Sequence, residues 1–258
     1  MLMEVGLQTK KLKVIGLIPT RLGSTRLPAK ALLPIGNLPL IIHTYRRAKL
    51  SKLLDDVVIC CDNQQTIKVA KKFNAKCVLT SIHHKNGGER IAEYVQKQKS
   101  KYDLILDIQG DEPLISPYHI DDLIRFHKNN FDADIILPTL KVKSPGNQNL
   151  IKVVTNKKKE VMYLSRSTIP FDFKNTNKYF KKHLSIISFK PNALIKFSQT
   201  KETFLEKIEG IELLRALEIG LKMKSVELKG DSFSVDEHED YLRAKDAMKK
   251  DLFYKKYK

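Results

Sequence analysis

The sequence predicts an α/β fold with a mostly parallel central sheet flanked by helices. Residues 13–18 and 56–61 are short, apolar and bounded, as buried strands are. Each is followed by a polar loop and then a helix-like stretch, at residues 38–48 and 63–73. A third apolar run opens at Leu104 and ends in Asp107-Ile108-Gln109-Gly110-Asp111. Strands alternating with helices at this spacing imply βαβ units and parallel pairing.

Within that frame the elements follow in order. Residues 76–79 read as a third short strand and residues 116–127 as a helix. Residues 134–140 resemble another core strand, and the polar stretch 144–149 marks a long loop. Residues 151–154 and 161–164 flank a lysine-rich turn and read as a hairpin. Residues 183–189 form a late strand, and residues 234–240 begin a last helix, with Asp236 suited to cap it.

Composition narrows the classes. The 258 residues are 42% hydrophobic, enough for one α/β domain spanning 1–258. No apolar run approaches the roughly 20 residues of a membrane helix, and MLMEVGLQTKKLK lacks a signal-peptide core. Cys60, Cys61 and Cys77 show no CxxC spacing and read as buried thiols of a cytoplasmic protein. The net charge of +18 is spread along the chain, so it reads as solvated lysine-rich faces, with no nucleic-acid partner expected.

Chemistry concentrates in the loop Pro19-Thr20-Arg21-Leu22-Gly23-Ser24-Thr25-Arg26-Leu27-Pro28-Ala29-Lys30. A strand, then a loop of glycine, hydroxyls and cations, then a helix, is an arrangement for handling phosphate. The spacing is neither a Walker loop nor a dinucleotide fingerprint. His83-His84-Lys85-Asn86-Gly87-Gly88-Glu89-Arg90 offers a second tight loop feeding a helix N-terminus. An adjacent histidine pair cannot readily chelate one ion, so these two read as loop residues. Asp111, at a strand's carboxyl end, is placed as a hard oxygen ligand for a divalent cation.

These strings resemble those of the CMP-Kdo synthetases, the 3-deoxy-manno-octulosonate cytidylyltransferases. The opening IPTRLGSTRLPAKAL is similar to the family's IPARxxSTRLPGKxL, and DIQGDEPL matches the family's own string. Residues 84–90 align with H-x-[SN]-G-T-[DE]-R, except that Gly88 replaces Thr. Residues 165–170 match SRSxIP, and residues 235–240 resemble VDTPED. Residues 183–189 follow HIGIYAY, but Ser185 and Ile187 replace Gly and Tyr. Residues 209–218 resemble the family's LExLEQLRALE helix, with Leu213 for Gln. The motifs run in order from about residue 12 to residue 247.

The resemblance implies a Rossmann-like nucleotidyltransferase fold. A small β excursion at about 141–190 would serve sugar binding and homodimer formation. It implies magnesium-dependent transfer of CMP from CTP to a sugar acid destined for lipopolysaccharide or capsule. Arg21, Lys30, Asp111 and Asp236 would be catalytic, with Asp111 and Asp236 holding Mg²⁺. Pro19, Arg21, Ser24, Lys30, Gly87, Arg90 and Asp111 would bind CTP. Gln109, Arg166, His183 and Glu212 would bind the sugar acid. Because Ile187 and Leu213 cannot supply a Tyr and a Gln contact, the acceptor is expected to be a modified one such as an amino-Kdo or another ulosonate, or Kdo is expected to be a poor substrate.

Overall fold

In the computed structural model, residues 11–23, 26–98, 101–144 and 148–258 are described. Strand β1 (Val14–Thr20) is buried along its whole length. After its loop come a 3-10 turn (Lys30–Leu32), the short strands β2 (Pro34–Ile35) and β3 (Leu38–Pro39), and helix α1 (Leu40–Ala48). Next follow β4 (Asp56–Cys61), α2 (Gln64–Lys72), β5 (Cys77–Leu79), α3 (Gly87–Lys97) and β6 (Leu104–Ile108). The second half holds α4 (Pro117–Asn129), β7 (Ile135–Val142), β8 (Lys152–Thr155), β9 (Val161–Ser165), β10 (Phe180–His183) and β11 (Ile186–Phe189). It closes with α5 (Pro191–Gln199), α6 (Phe204–Glu209), α7 (Leu213–Glu218), β12 (Met223–Leu228) and α8 (His238–Lys250).

The central sheet runs β5-β4-β1-β6-β11-β7, with β12 on the far side of β7. Pairings β5–β4, β4–β1, β1–β6 and β7–β12 are parallel. Strand β11 is antiparallel to both β6 and β7, so those two share one direction. The expected parallel pairing is therefore present from β5 to β6 and again at β7–β12, with β11 running against it between them. The predicted hairpin is β8–β9, antiparallel, and β10 joins it to the edge of β7.

Two apolar layers cover the sheet, and the two-residue period of the strands sorts side chains between them. Val14 and Ile18 of β1, with Leu104, Leu106 and Ile108 of β6, face one layer, where α1 and α4 pack. Ile15, Leu17 and Ile105 face the other, beneath α3, α5 and α7. Alternation places Asp107 on this second face. Helix starts follow capping chemistry: Asn63 Oδ1 accepts from Thr66 N at 2.7 Å, and Asn86 Oδ1 from Glu89 N at 2.8 Å.

Four boundaries differ from expectation. The strand expected over 183–189 breaks into β10 and β11 around Leu184 and Ser185. Strand β11 is flanked by β6, but β6 ends at Ile108, and beyond that point β8 flanks β10 instead. Helix α1 starts at Leu40 because Leu38 and Pro39 pair with Ile35 and Pro34. Gly210, with φ of 61°, separates α6 from α7, where the resemblance implies one helix. Glu237, not Asp236, caps α8, because the Asp236 carboxylate is engaged across the cleft by Lys30.

The strand ends are packed as tightly as backbone allows. A Cβ on Gly110 would lie 2.7 Å from the Pro19 carbonyl oxygen and 3.0 Å from Ile41 Cδ1. Gly110→Ala should therefore push β6 from β1 and lower stability by about 1–3 kcal/mol. Urea unfolding checks this; an unshifted midpoint would show that the junction has slack.

Candidate active site

A cleft of about 310 Å³ opens where β1 and β6 end, at the carboxyl edge of the sheet. At its floor, the Lys30 ammonium donates to Asp111 Oδ2 at 2.8 Å, to Asp236 Oδ1 at 3.0 Å and to the Val235 carbonyl at 2.9 Å. Burial opposes the charge on Lys30, but the two carboxylates outweigh it and raise its pKa. Burial likewise opposes the Asp236 charge, and Lys30 foremost among its partners holds its pKa below the usual value. Ser234 Oγ donates to Asp236 Oδ2 at 2.9 Å, and Arg26 Nη2 donates to Oδ1 at 3.2 Å. Arg26 also lines the cleft; its place in the opening motif was the available signal, though no role was assigned to it.

Lys30 reaches this point from a turn whose first residue, Ala29, has φ of 50°. That left-handed geometry favours glycine, which the resembling motif carries there. Pro19 and Arg21 line the same cleft, with Arg21 solvent-exposed. Ser24 lies outside the described residues. Gly87 opens α3 and lines the cleft; a Cβ there would stand 3.0 Å from Pro19 Cγ. Its missing side chain lets a helix N-terminus approach the end of β1.

Arg90 is also at the cleft, but it is only 3% exposed and largely committed to the protein. It donates to Thr80 Oγ1 at 2.7 Å and to the Ser81 carbonyl at 3.1 Å, with Asp62 Oδ2 at 3.6 Å. It therefore shapes the wall beside α3. His84 Nε2 lies 2.5 Å from Glu93 Oε2, an internal pair between this loop and α3.

A second cavity of about 320 Å³ adjoins the first and shares Gln109, Asp111, Glu212 and Asp236 with it. Gln109 Nε2 donates to Asp107 Oδ1 at 3.0 Å. His183 lines this cavity with its Nδ1 buried and unpartnered, and burial lowers its pKa to about 4. Burial raises Glu212 to about 7, against the pull of Arg215. Asp107, an acid inside an apolar strand, was visible in the sequence but assigned no role; it is 4% exposed and lines this cavity.

Arg166 is not brought to either cavity. Its guanidinium donates to the carbonyls of Glu209, Gln148 and Gly210 at 2.8, 2.9 and 3.0 Å. These bonds brace the end of α6 against the loop before β8. Cys60, Cys61 and Cys77 are free thiols, Cys60 and Cys61 buried and Cys77 half-buried.

The cytidylyltransferase family model matches residues 15–225. A 3-deoxy-manno-octulosonate cytidylyltransferase of Thermodesulfovibrio yellowstonii is 38% identical over 240 residues, covering 88% of this chain and 94% of that protein. A mitochondrial protein of the same name from Arabidopsis thaliana is 33% identical, covering 92% and 83%. Among solved structures, a CMP:2-keto-3-deoxy-manno-octonic acid synthetase complexed with CTP superposes with a TM-score of 0.88 at 28% identity. The match covers 93% of this chain and all of that one.

The acids of the second cavity set a pH dependence. Burial, then the nearby charges of Glu212 and Asp111, raises Asp107 to about 8. Unfolded, the same group titrates near roughly 3.9. Between those values the folded chain holds a proton that the unfolded chain has lost, so stability falls as pH rises through this window. Thermal melts of the ligand-free protein should show that decline, and Asp107→Asn should lessen it, Glu212 keeping its share. An unchanged slope in the variant would place Asp107 in a solvated setting instead.

Proposed function

The chain belongs to the cytidylyltransferase family, and on that footing we propose that it couples CTP to a 3-deoxy-ulosonic acid of the Kdo type. The products are the CMP-sugar acid and pyrophosphate. The observation that carries this reading is the meeting of Lys30, Asp111 and Asp236 beneath a cleft lined by further cations. The names of its relatives supply the nucleotide and the sugar class.

The acceptor's anomeric hydroxyl attacks the α-phosphorus of CTP, and the bond from that phosphorus to the bridging oxygen breaks. The work required is positioning and charge neutralisation. Arg21 and Arg26 meet the triphosphate from the loop after β1, and the N-terminus of α3 at Gly87 faces the nucleotide. Arg90 keeps that wall in place. Gln109, His183 and Glu212 orient the sugar acid; His183 does so as a neutral ring.

Asp111 and Asp236 would hold Mg²⁺. The fit rests on donor chemistry: two carboxylate oxygens converge on one cation, the Lys30 ammonium. Bound there, the ion would lower the pKa of the attacking hydroxyl and neutralise developing charge. Lys30, at the same point, would donate to phosphate oxygens of the nucleotide.

A second copy of the chain is the proposed partner. Met162, Phe171 and Phe173 of the β excursion are 61, 80 and 84% exposed, and Phe204 and Ile208 of α6 are exposed as well. Among the described residues no helix is long and apolar enough to cross a membrane. A CTP-consuming activity fits the cytoplasm.

Asp111→Asn and Asp236→Asn should each abolish pyrophosphate release while leaving the circular dichroism spectrum unchanged. Near-normal rates at saturating Mg²⁺ would remove that residue from the metal site. Lys30→Ala should lower kcat as well as raise KM, because the ammonium meets charge that grows on the leaving pyrophosphate. A variant with unchanged kcat/KM would show Lys30 to be a tether for the two acids and nothing more.

A further inference from the structure

The second cavity has two unlike sides. Asp107, Gln109, His183 and Glu212 make one; Ile187, Phe197 and Leu213 contribute an apolar one. Strand register sets part of this contrast, since Ile187 is the cross-strand partner of Asp107. Phe197 arrives from α5, and a Cβ on Gly88 would meet its Cε1 at 2.9 Å. The ring therefore fills the space that a side chain at position 88 would need.

The apolar side is fixed in place. The Arg215 guanidinium carbon lies 4.8 Å from the Phe197 ring centroid, and Arg215 Nη1 donates to the Phe197 carbonyl at 3.3 Å. Arg215 is itself held by Glu206, with Nε to Oε2 at 2.7 Å. Phe197, Leu213 and Ile187 are 2, 5 and 9% exposed. Gly88, Ile187 and Leu213, far apart in sequence, are the positions where polar Thr, Tyr and Gln would stand in the resembling motifs. In the fold all three line this one cavity.

Resting on the cytidylyltransferase reading, we propose that Ile187, Phe197 and Leu213 determine acceptor specificity. They select a sugar acid that lacks one hydroxyl more than the 3-deoxy parent and presents that further deoxygenated carbon to them. A hydroxyl turned onto these side chains loses its water and finds no donor or acceptor in exchange. A carbon bearing only hydrogen makes dispersion contacts there at no such cost. Discrimination by an apolar surface of this kind is worth roughly ten- to two-hundredfold.

The test is a panel of 3-deoxy-manno-octulosonic acid and its analogues that each lack one further hydroxyl, assayed by CTP-dependent pyrophosphate release. At least one analogue should exceed the parent by about tenfold or more in kcat/KM, with KM for CTP unchanged. Leu213→Gln and Ile187→Tyr should each return the preference to the parent. If the unaltered protein prefers the parent over every analogue, the proposal is overturned. If no acceptor yields pyrophosphate, the cytidylyl-transfer reading fails. The same panel is then ranked by saturation-transfer NMR with CTP present. Tighter binding of an analogue supports the apolar selection, and equal or tighter binding of the parent overturns it.

Discussion

One ammonium organises the site. Lys30 lies on the turn after β1, Asp111 follows β6, and Val235 with Asp236 precedes α8. Two carboxylates this close would repel each other if left alone. The lysine resolves that conflict, and in doing so it ties together three segments remote in the chain. Much of the cleft's construction serves that meeting. The parallel β1–β6 pairing, the missing side chain at Gly110 and the left-handed Ala29 all bring backbone to within reach of one point.

The two cavities that meet there have opposite character. Arg21, Arg26, Lys30 and Arg90 line the first, which suits a polyanion. The second is lined by Asp107, Glu212 and apolar side chains. Asp111, Asp236, Gln109 and Glu212, with Gly87, belong to both, so the two cavities meet at these residues. The chain's net charge of +18 conceals this division, because charge summed over the sequence carries no position.

Local chemistry explains what the sequence made legible. Strand runs such as residues 13–18 and 56–61 are set by period and branching, and they appear where expected. Lys30, Asp111 and Asp236 belong to strings with a fixed relation to strand or helix ends, and they converge. The rest depended on contacts between distant segments. Arg166 has the right chemistry for a carboxylate, yet the carbonyls of Gln148, Glu209 and Gly210 absorb its donors. Nothing local to Ser185 signals that β10 and β11 will part there; the cause is where β6 stops. Phe197 carried no motif, and only the absence of a side chain at Gly88, across the cavity wall, gives it a place.

The span of the Lys30–Asp236 contact, 206 residues, has a consequence for how the protein is made. Chains emerge from the ribosome N-terminus first, at about 5–20 residues per second. Lys30 and Asp111 can pair, and most of the sheet can form, before Asp236 exists. For roughly 6–25 seconds, the time needed at that rate to extend from Asp111 to Asp236, the nascent protein carries the loop after β1 and one carboxylate but no completed floor. The donor set beneath the cleft is therefore complete only once the segment that precedes the last helix has been made.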